Sequence, residues 1–309
     1  MKPAAFRYSC PESLEEALEL LSDLGADTKI LAGGQSLLPM LNMRLAAPAH
    51  LVDINGLPEL ADIVAEPAGV RVGALARHAQ VERDVGAQVV QPLLGQALRL
   101  VAHPVIRNRG TTVGSLAHAD PAGEMTAVLA LLDGEMEVAR AGGRRTVPAA
   151  EFFLGPLESC LQPDELALSA WFPSLPARSG TAFREVARRH GDYAMCGVAA
   201  AVTLDEDGMV VRARTAYVSM APTPVVLDLT DALRGFRGDR GDHPGWGAAA
   251  RDAVSELDPE VDIHASAAYR LQLAQVLTAK ALAAAGSAAG ASSVESVELP
   301  RSAERGRGS

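Results

Sequence analysis

Ile30-Leu31-Ala32-Gly33-Gly34-Gln35-Ser36-Leu37-Leu38 is an apolar run that breaks at two glycines and resumes as a helix start. It reads as a strand delivering a phosphate-binding loop. Adjacent glycines lack Cβ atoms, so the backbone can take positive φ and approach a bulky anion, while Gln35 and Ser36 add polar contacts. Successive amides would hold a diphosphate with little help from cationic side chains, since the first basic residue afterwards is Arg44. The same residues also suit a plain tight turn between a strand and a helix. The loop needs a second element.

That element is the stretch His103-Pro104-Val105-Ile106-Arg107-Asn108-Arg109-Gly110-Thr111-Thr112-Val113-Gly114-Ser115-Leu116-Ala117-His118-Ala119-Asp120-Pro121-Ala122-Gly123-Glu124. It mixes small, hydroxyl, charged and turn-forming side chains with little periodicity, a composition that is costly to order unless something binds there. Ala-Gly-Gly-Gln-Ser followed by Ile-Arg-Asn-Arg-Gly-Thr-x-x-Gly-Ser-x-Ala-His-Ala-Asp-Pro resembles the FAD-binding subunit of the molybdenum hydroxylases. The resemblance extends to the medium subunit of aerobic carbon monoxide dehydrogenase and to the flavin domain of xanthine dehydrogenase. The likeness runs from Phe6 to about Leu282.

The resemblance implies an α+β fold: a two-subdomain FAD-binding unit of the vanillyl-alcohol-oxidase/PCMH type, then a smaller α+β domain of antiparallel strands and helices. The expected boundaries are residues 1–177 for the FAD-binding domain, with subdomains of about 1–56 and 57–177, and residues 178–285 for the C-terminal domain. Residues 286–309 carry Gly, Ala, Ser and charge with almost no core formers, which predicts a disordered tail.

The resemblance also assigns a noncovalent FAD. Ala32, Gly33, Gly34, Gln35, Ser36 and Leu37 match the first FAD loop, and Thr111, Gly114 and Ser115 match the second, both wrapping the diphosphate. The family shows Thr-x-Gly-Gly-Ser where this chain has Val113, and a β-branched residue would be strained there if the position required positive φ. His118, Asp120 and Glu124 match positions near the ribityl chain and the polar edge of the flavin. Asp120 ahead of Pro121 is equally suited to capping a helix, with His118 and Glu124 on the surface. Tyr193, in Arg188-Arg189-His190-Gly191-Asp192-Tyr193-Ala194, matches the tyrosine that shields one face of the isoalloxazine, and its alternative is a turn tyrosine. Leu161 and Leu166 fall where the family's chain passes the flavin edge, a place that ordinary core leucines also fill.

Composition agrees with this class. The chain has 309 residues, enough for two domains, and its formal charge of −10 disfavours nucleic acid or an anionic membrane as partner. The amino-terminal residues lack the apolar segment of a secretory signal, and no run approaches the length of a membrane span, so a cytoplasmic protein is expected. Cys10, Cys160 and Cys196 are far apart, form no Cys-x-x-Cys pair and read as buried reduced thiols. Seven scattered histidines show no zinc-like pairing. There is no Gly-x-Gly-x-x-Gly after a strand, no Gly-x-x-x-x-Gly-Lys loop and no Gly-x-Ser-x-Gly elbow.

Periodicity predicts a helix from Leu14, capped by Ser13 and Glu16 and ended by Gly25, then strands at 28–32 and 51–54 with a turn at Asn55-Gly56. It places two short strands between Leu60 and Gly73, helical spacing from Ala79 to Val101, a helix at 125–132, and strands at 135–139 and 166–172. An antiparallel meander follows over 181–188, 194–204 and 210–220, then helices over 245–257 and 266–285, the latter with Tyr269, Leu273, Val276, Leu277 and Ala281 on its stripe.

The function implied by the resemblance is a FAD-carrying electron-transfer subunit, an oxidoreductase component. In that family a small subunit carries [2Fe-2S] clusters and a large subunit carries the molybdopterin cofactor, assembled as a dimer of heterotrimers. A self-contained FAD oxidase or reductase on the same fold is the alternative, and a scaffold that has lost its flavin is a third reading.

Overall fold

The computed structural model describes residues 2–241 and 243–291. Its amino-terminal unit is a three-stranded parallel sheet in which His50–Asp53 lies between Arg7–Ser9 and Thr28–Leu31. Parallel strands need a crossover, and the helix Leu14–Leu24 supplies the one between the two outer strands. Ser13 Oγ accepts the Glu16 amide as predicted, while Glu16 Oε2 reaches one residue further back and accepts the Glu12 amide in place of the Ser13 amide. Gly25, at φ 66°, ends the helix. Ala17, Leu18 and Leu21 pack into the core with Val52 and Ile54, and this fixes where the strand Thr28–Leu31 releases the glycine loop.

A five-stranded antiparallel sheet follows, in the order Ile63–Glu66, Gly69–Gly73, Leu166–Pro173, Glu135–Arg140, Gly143–Pro148. The helical spacing of residues 79–101 resolves into three short helices, His78–Arg83, Val85–Val90 and Pro92–Leu98. Asp84 interrupts the first pair by accepting the Ala87 amide at 2.7 Å, and Pro92, having no amide to donate, opens the third. The helix Glu124–Leu131 is buried on nearly every side, because it sits between this unit and the next and touches Ala194–Leu204 and Val210–Val218.

The carboxy-terminal unit is the predicted meander, Ser179–Ala187, Ala194–Leu204 and Val210–Val218, extended by a fourth strand at Val225–Asp228. Two helices cover it, Gly245–Ser255 and Ala267–Ala291. Of the predicted stripe of the last helix, Leu277 and Ala281 are buried and Leu273 is partly so, whereas Tyr269 and Val276 are exposed; Ala274, Thr278, Leu282 and Ala285 complete the buried face. Towards its end the helix approaches the strand closely: a Cβ at Gly180 would run into the Ala285 carbonyl, and small residues, Ala285, Gly286 and Ala289, are buried there.

That helix also corrects the predicted tail. It continues to Ala291 with Gly286 and Ala289 buried, while residues 292–309 lie outside the described residues. Of the cysteines only Cys196 is buried; Cys160 is partly covered and Cys10 exposed, and none is paired. Among the described residues no helix is long and apolar enough to cross a membrane, and no cluster of His, Cys, Asp and Glu could hold a metal ion.

Candidate functional site: two glycine loops in contact

The two singled-out stretches meet. A Cβ added to Gly33 would lie 2.6 Å from the Arg109 carbonyl oxygen, 2.8 Å from the Gly110 Cα and 3.0 Å from the Thr111 nitrogen. Gly33 is therefore glycine because a second backbone passes it. Gly34 is glycine for the other reason, its φ of +71°. Beyond it the amides of Gly34, Gln35, Ser36 and Leu37 point to no acceptor among the described residues, and these four residues are only half-buried. Successive free amides next to a positive-φ glycine form a concave donor set that suits a phosphate group.

The second stretch is more helical than its composition predicted, with helices at Pro104–Arg107 and Thr112–His118. Thr111 is the cap of the latter, its hydroxyl accepting the Gly114 amide at 3.2 Å. Gly114 and Ser115 lie in the first turn, half-buried. Val113 is helical and buried, so the strain expected of a β-branched residue does not arise. Beneath the turn, His78 Nδ1 lies 3.2 Å from the Thr112 hydroxyl. Burial, reinforced by the Arg107 charge, pushes the His78 pKa down to about 4, so the imidazole is neutral and serves as packing and a hydrogen-bond partner.

A cluster of acids lies at the far end of this helix. Asp120 Oδ1 accepts the Ala122 amide, shaping the turn before Glu124–Leu131 rather than capping the helix itself. The Pro121 carbonyl accepts the Ser219 amide at 2.8 Å, pinning the turn to the carboxy-terminal sheet. Glu124 is only 8 % exposed, and burial, with Asp120 adding like charge, raises its pKa to about 7. Glu185 faces it from the strand Ser179–Ala187 with Oε2 buried and unpartnered; burial and then Glu124 raise its pKa to about 8. Tyr193 places its phenol beside Asp120, with the residue 66 % exposed.

Gly33, Gly34, Gln35, Ser36 and Leu37 thus lie on one loop that touches the second loop at residues 109–111, while Asp120, Glu124 and Tyr193 form a second group at the start of the helix Glu124–Leu131. Ala32 is tied in by its carbonyl, which accepts from Asn55 Nδ2 at 2.9 Å. His118 is half-buried in the last turn of Thr112–His118. Leu166 is 2 % exposed within the core, where packing alone accounts for it. Sequence reasoning missed Asn55, Arg77 and Glu185. Asn55 carried a turn signal that concealed its side-chain role, and nothing local marks Arg77 or Glu185.

The donor set fits FAD. Free amides on the first loop suit the diphosphate, and a buried carboxyl capable of holding a proton near neutral pH suits a flavin's polar edge. The comparisons with known proteins agree. Residues 4–175 match the model of the FAD binding domain in molybdopterin dehydrogenase, and residues 181–285 match the CO dehydrogenase flavoprotein C-terminal domain. The chain is 42% identical to the 6-hydroxypseudooxynicotine dehydrogenase complex subunit alpha of Paenarthrobacter nicotinovorans, over 92% of this chain and 96% of that one. It is 37% identical to the carbon monoxide dehydrogenase medium chain of Hydrogenophaga pseudoflava, covering 92% and 98% respectively. Among solved structures, quinoline 2-oxidoreductase from Pseudomonas putida 86 superposes with a TM-score of 0.88 at 37% identity, covering 94% of this chain and 100% of that one. With both of its units matched in order and the two loops that carry the resemblance in backbone contact, this chain belongs to the FAD-binding medium subunits of the molybdenum hydroxylases.

Proposed function

We propose that the chain is the electron-transfer subunit of a molybdopterin-dependent hydroxylase or dehydrogenase, taking electrons from iron–sulfur clusters in a small partner subunit and passing them to an external acceptor. The contact between Gly33 and residues 109–111 carries this reading, because it brings the free amides of the first loop against the second stretch that carries the family resemblance. When bound, FAD supplies the exchange between single and paired electrons.

The chain's own residues bind and orient. The amides of Gly34 to Leu37 and the turn capped by Thr111 hold the diphosphate, and Gln35 keeps its loop closed through the hydrogen bond from its Nε2 to the Gly33 carbonyl at 3.1 Å. Glu124 presents a carboxyl to the flavin's polar edge and Glu185, behind it, holds a proton up to about pH 8. Tyr193 covers one ring face, an arrangement suited to offset stacking. His118 and Asp120 border the ribityl chain, and FAD is held noncovalently. The expected setting is a cytoplasmic dimer of heterotrimers in which the molybdopterin-bearing large subunit selects the substrate. A domain limit between residues 177 and 178 is part of the same reading, with the last helix, to Ala291, belonging to the second domain.

The experiment is rapid mixing. The assembled complex should show flavin bleaching when substrate is added, whereas the isolated, FAD-loaded chain given the same substrate should show none. Fast bleaching in the isolated chain would favour a self-contained oxidase or reductase.

A further inference from the structure

The two glycine loops come from distant parts of the chain, and no backbone hydrogen bond joins Gly33 or Gly34 to residues 109–111. Something else must hold them at contact distance. Arg77 lies between them, half-buried just ahead of the helix His78–Arg83. Its Nη1 donates to the Arg109 carbonyl at 2.7 Å and its Nη2 donates to Asn55 Oδ1 at 2.6 Å. Asn55 Nδ2 in turn donates to the Ala32 carbonyl at 2.9 Å. One guanidinium and one amide therefore run from the second loop to the first.

The anchor behind this chain is built to stay put. The Asn55 amide donates to Asp53 Oδ1 at 2.9 Å, and the Tyr8 hydroxyl donates to Asp53 Oδ2 at 2.6 Å. Burial pulls the Asp53 pKa upward, but the hydrogen bonds from Tyr8 and Asn55 and the Arg77 charge leave it below the ordinary carboxylate value, so it is anionic at neutral pH. The backbone of residues 76–78 is held to the second loop as well, through His78 N to the Gly110 carbonyl and Thr112 N to the Ala76 carbonyl. A planar guanidinium with two acceptors at fixed angles is a rigid spacer that a lysine cannot copy.

We propose that Arg77 is a positioning residue that sets the spacing of the two glycine loops, through Asn55, before the diphosphate of FAD enters. The inference rests on the FAD reading above. Arg77 acts on the loops rather than as the main ligand of the anion.

The test uses the full chain, stripped of flavin, titrated with FAD and followed by quenching of flavin fluorescence. Wild type is measured first; failure to bind FAD would overturn the FAD reading and this inference together. Given wild-type binding, Arg77→Ala should raise the dissociation constant about tenfold or more, and Asn55→Asp, which keeps the acceptor for Arg77 but loses the side-chain donor to Ala32 and to Asp53, should do the same. The double variant should bind no worse than the weaker single one within about twofold, because both break one chain. Arg77→Lys should behave like Arg77→Ala, since the charge remains but the fork does not. The melting midpoint of the unliganded chain is recorded for each variant. Arg77→Ala with wild-type affinity, additive losses, or full rescue by Arg77→Lys would each overturn the proposal. Should Arg77→Ala not fold, Asn55→Asp alone decides: unchanged affinity overturns the proposal, and a loss without a lowered midpoint supports it.

Discussion

Replacing Gly33 with alanine adds one methyl group at the place where the two loops touch. That methyl carbon would sit 2.6 Å from the Arg109 carbonyl oxygen, 2.8 Å from the Gly110 Cα and 3.0 Å from the Thr111 nitrogen, all backbone atoms with no rotamer to escape into. Reaching ordinary contact requires the second loop to retreat by about 0.8 Å. Forcing a methyl group into packed backbone costs about 1–3 kcal/mol. If the loops part in the free protein, the cost falls on closing around FAD, and affinity drops by roughly tenfold to a hundredfold at about 1.4 kcal/mol per decade. If they stay together, the cost appears as a lower melting midpoint instead. Fluorescence titration with FAD and a thermal melt of the unliganded chain read both. Gly143→Ala is the control, since its Cβ would meet nothing within 4 Å. Affinity within twofold of wild type together with an unchanged midpoint in Gly33→Ala would mean that the second backbone does not crowd Gly33.

Other expectations follow from the same geometry. Gly34→Ala places an L residue at φ +71° and should weaken FAD binding or lower the melting midpoint by an amount equivalent to about 1–2 kcal/mol, read in the same two assays. Thr111→Ala removes the cap over the Gly114 amide and should cost about 1 kcal/mol of stability in urea unfolding. Tyr193→Ala should leave the melting midpoint of the unliganded chain unchanged, because the residue is exposed, but weaken FAD binding by up to about tenfold through lost stacking. Glu124 and Glu185 have folded-state pKa values of about 7 and about 8 against an ordinary 4.5, so the folded chain binds more protons than the unfolded one between these limits. Stability of the unliganded chain therefore falls as pH rises from about 5 to about 8 and levels off above, and Glu185→Gln should flatten the upper part of that decline in melts across the range.

Local signals were legible where one segment decides its own conformation. Ser13 and Gly25 bound a helix as predicted, and the three strands of the predicted meander pair in order. The glycine pair was legible as a loop, but its division of labour was not. Gly34 has the positive φ, whereas Gly33 is crowded by a backbone far away in sequence, and spacing cannot reveal that approach. Arg77 and Asn55 escaped for the same reason, since their partners are separated from them by long stretches of chain. Composition misread the second stretch, because residues 103–124 look irregular yet form two short helices stabilised by the Thr111 cap and by contacts with residues 76–78. The last helix was found, and Leu277 and Ala281 of its stripe are buried, but Tyr269 and Val276 are exposed; the close approach at Gly180, where Ala285, Gly286 and Ala289 are buried, is a property of the neighbouring strand rather than of the helix.

The central claim is that this chain by itself holds one FAD, noncovalently, between the two loops. The most direct measurement is to purify the chain, denature it, and compare the flavin recovered in the filtrate with the protein present, for wild type and for Gly33→Val. The account predicts about one FAD per wild-type chain, all of it released on denaturation, and little or none in Gly33→Val. Flavin that stays on the precipitated chain, or equal flavin in both proteins, would contradict it.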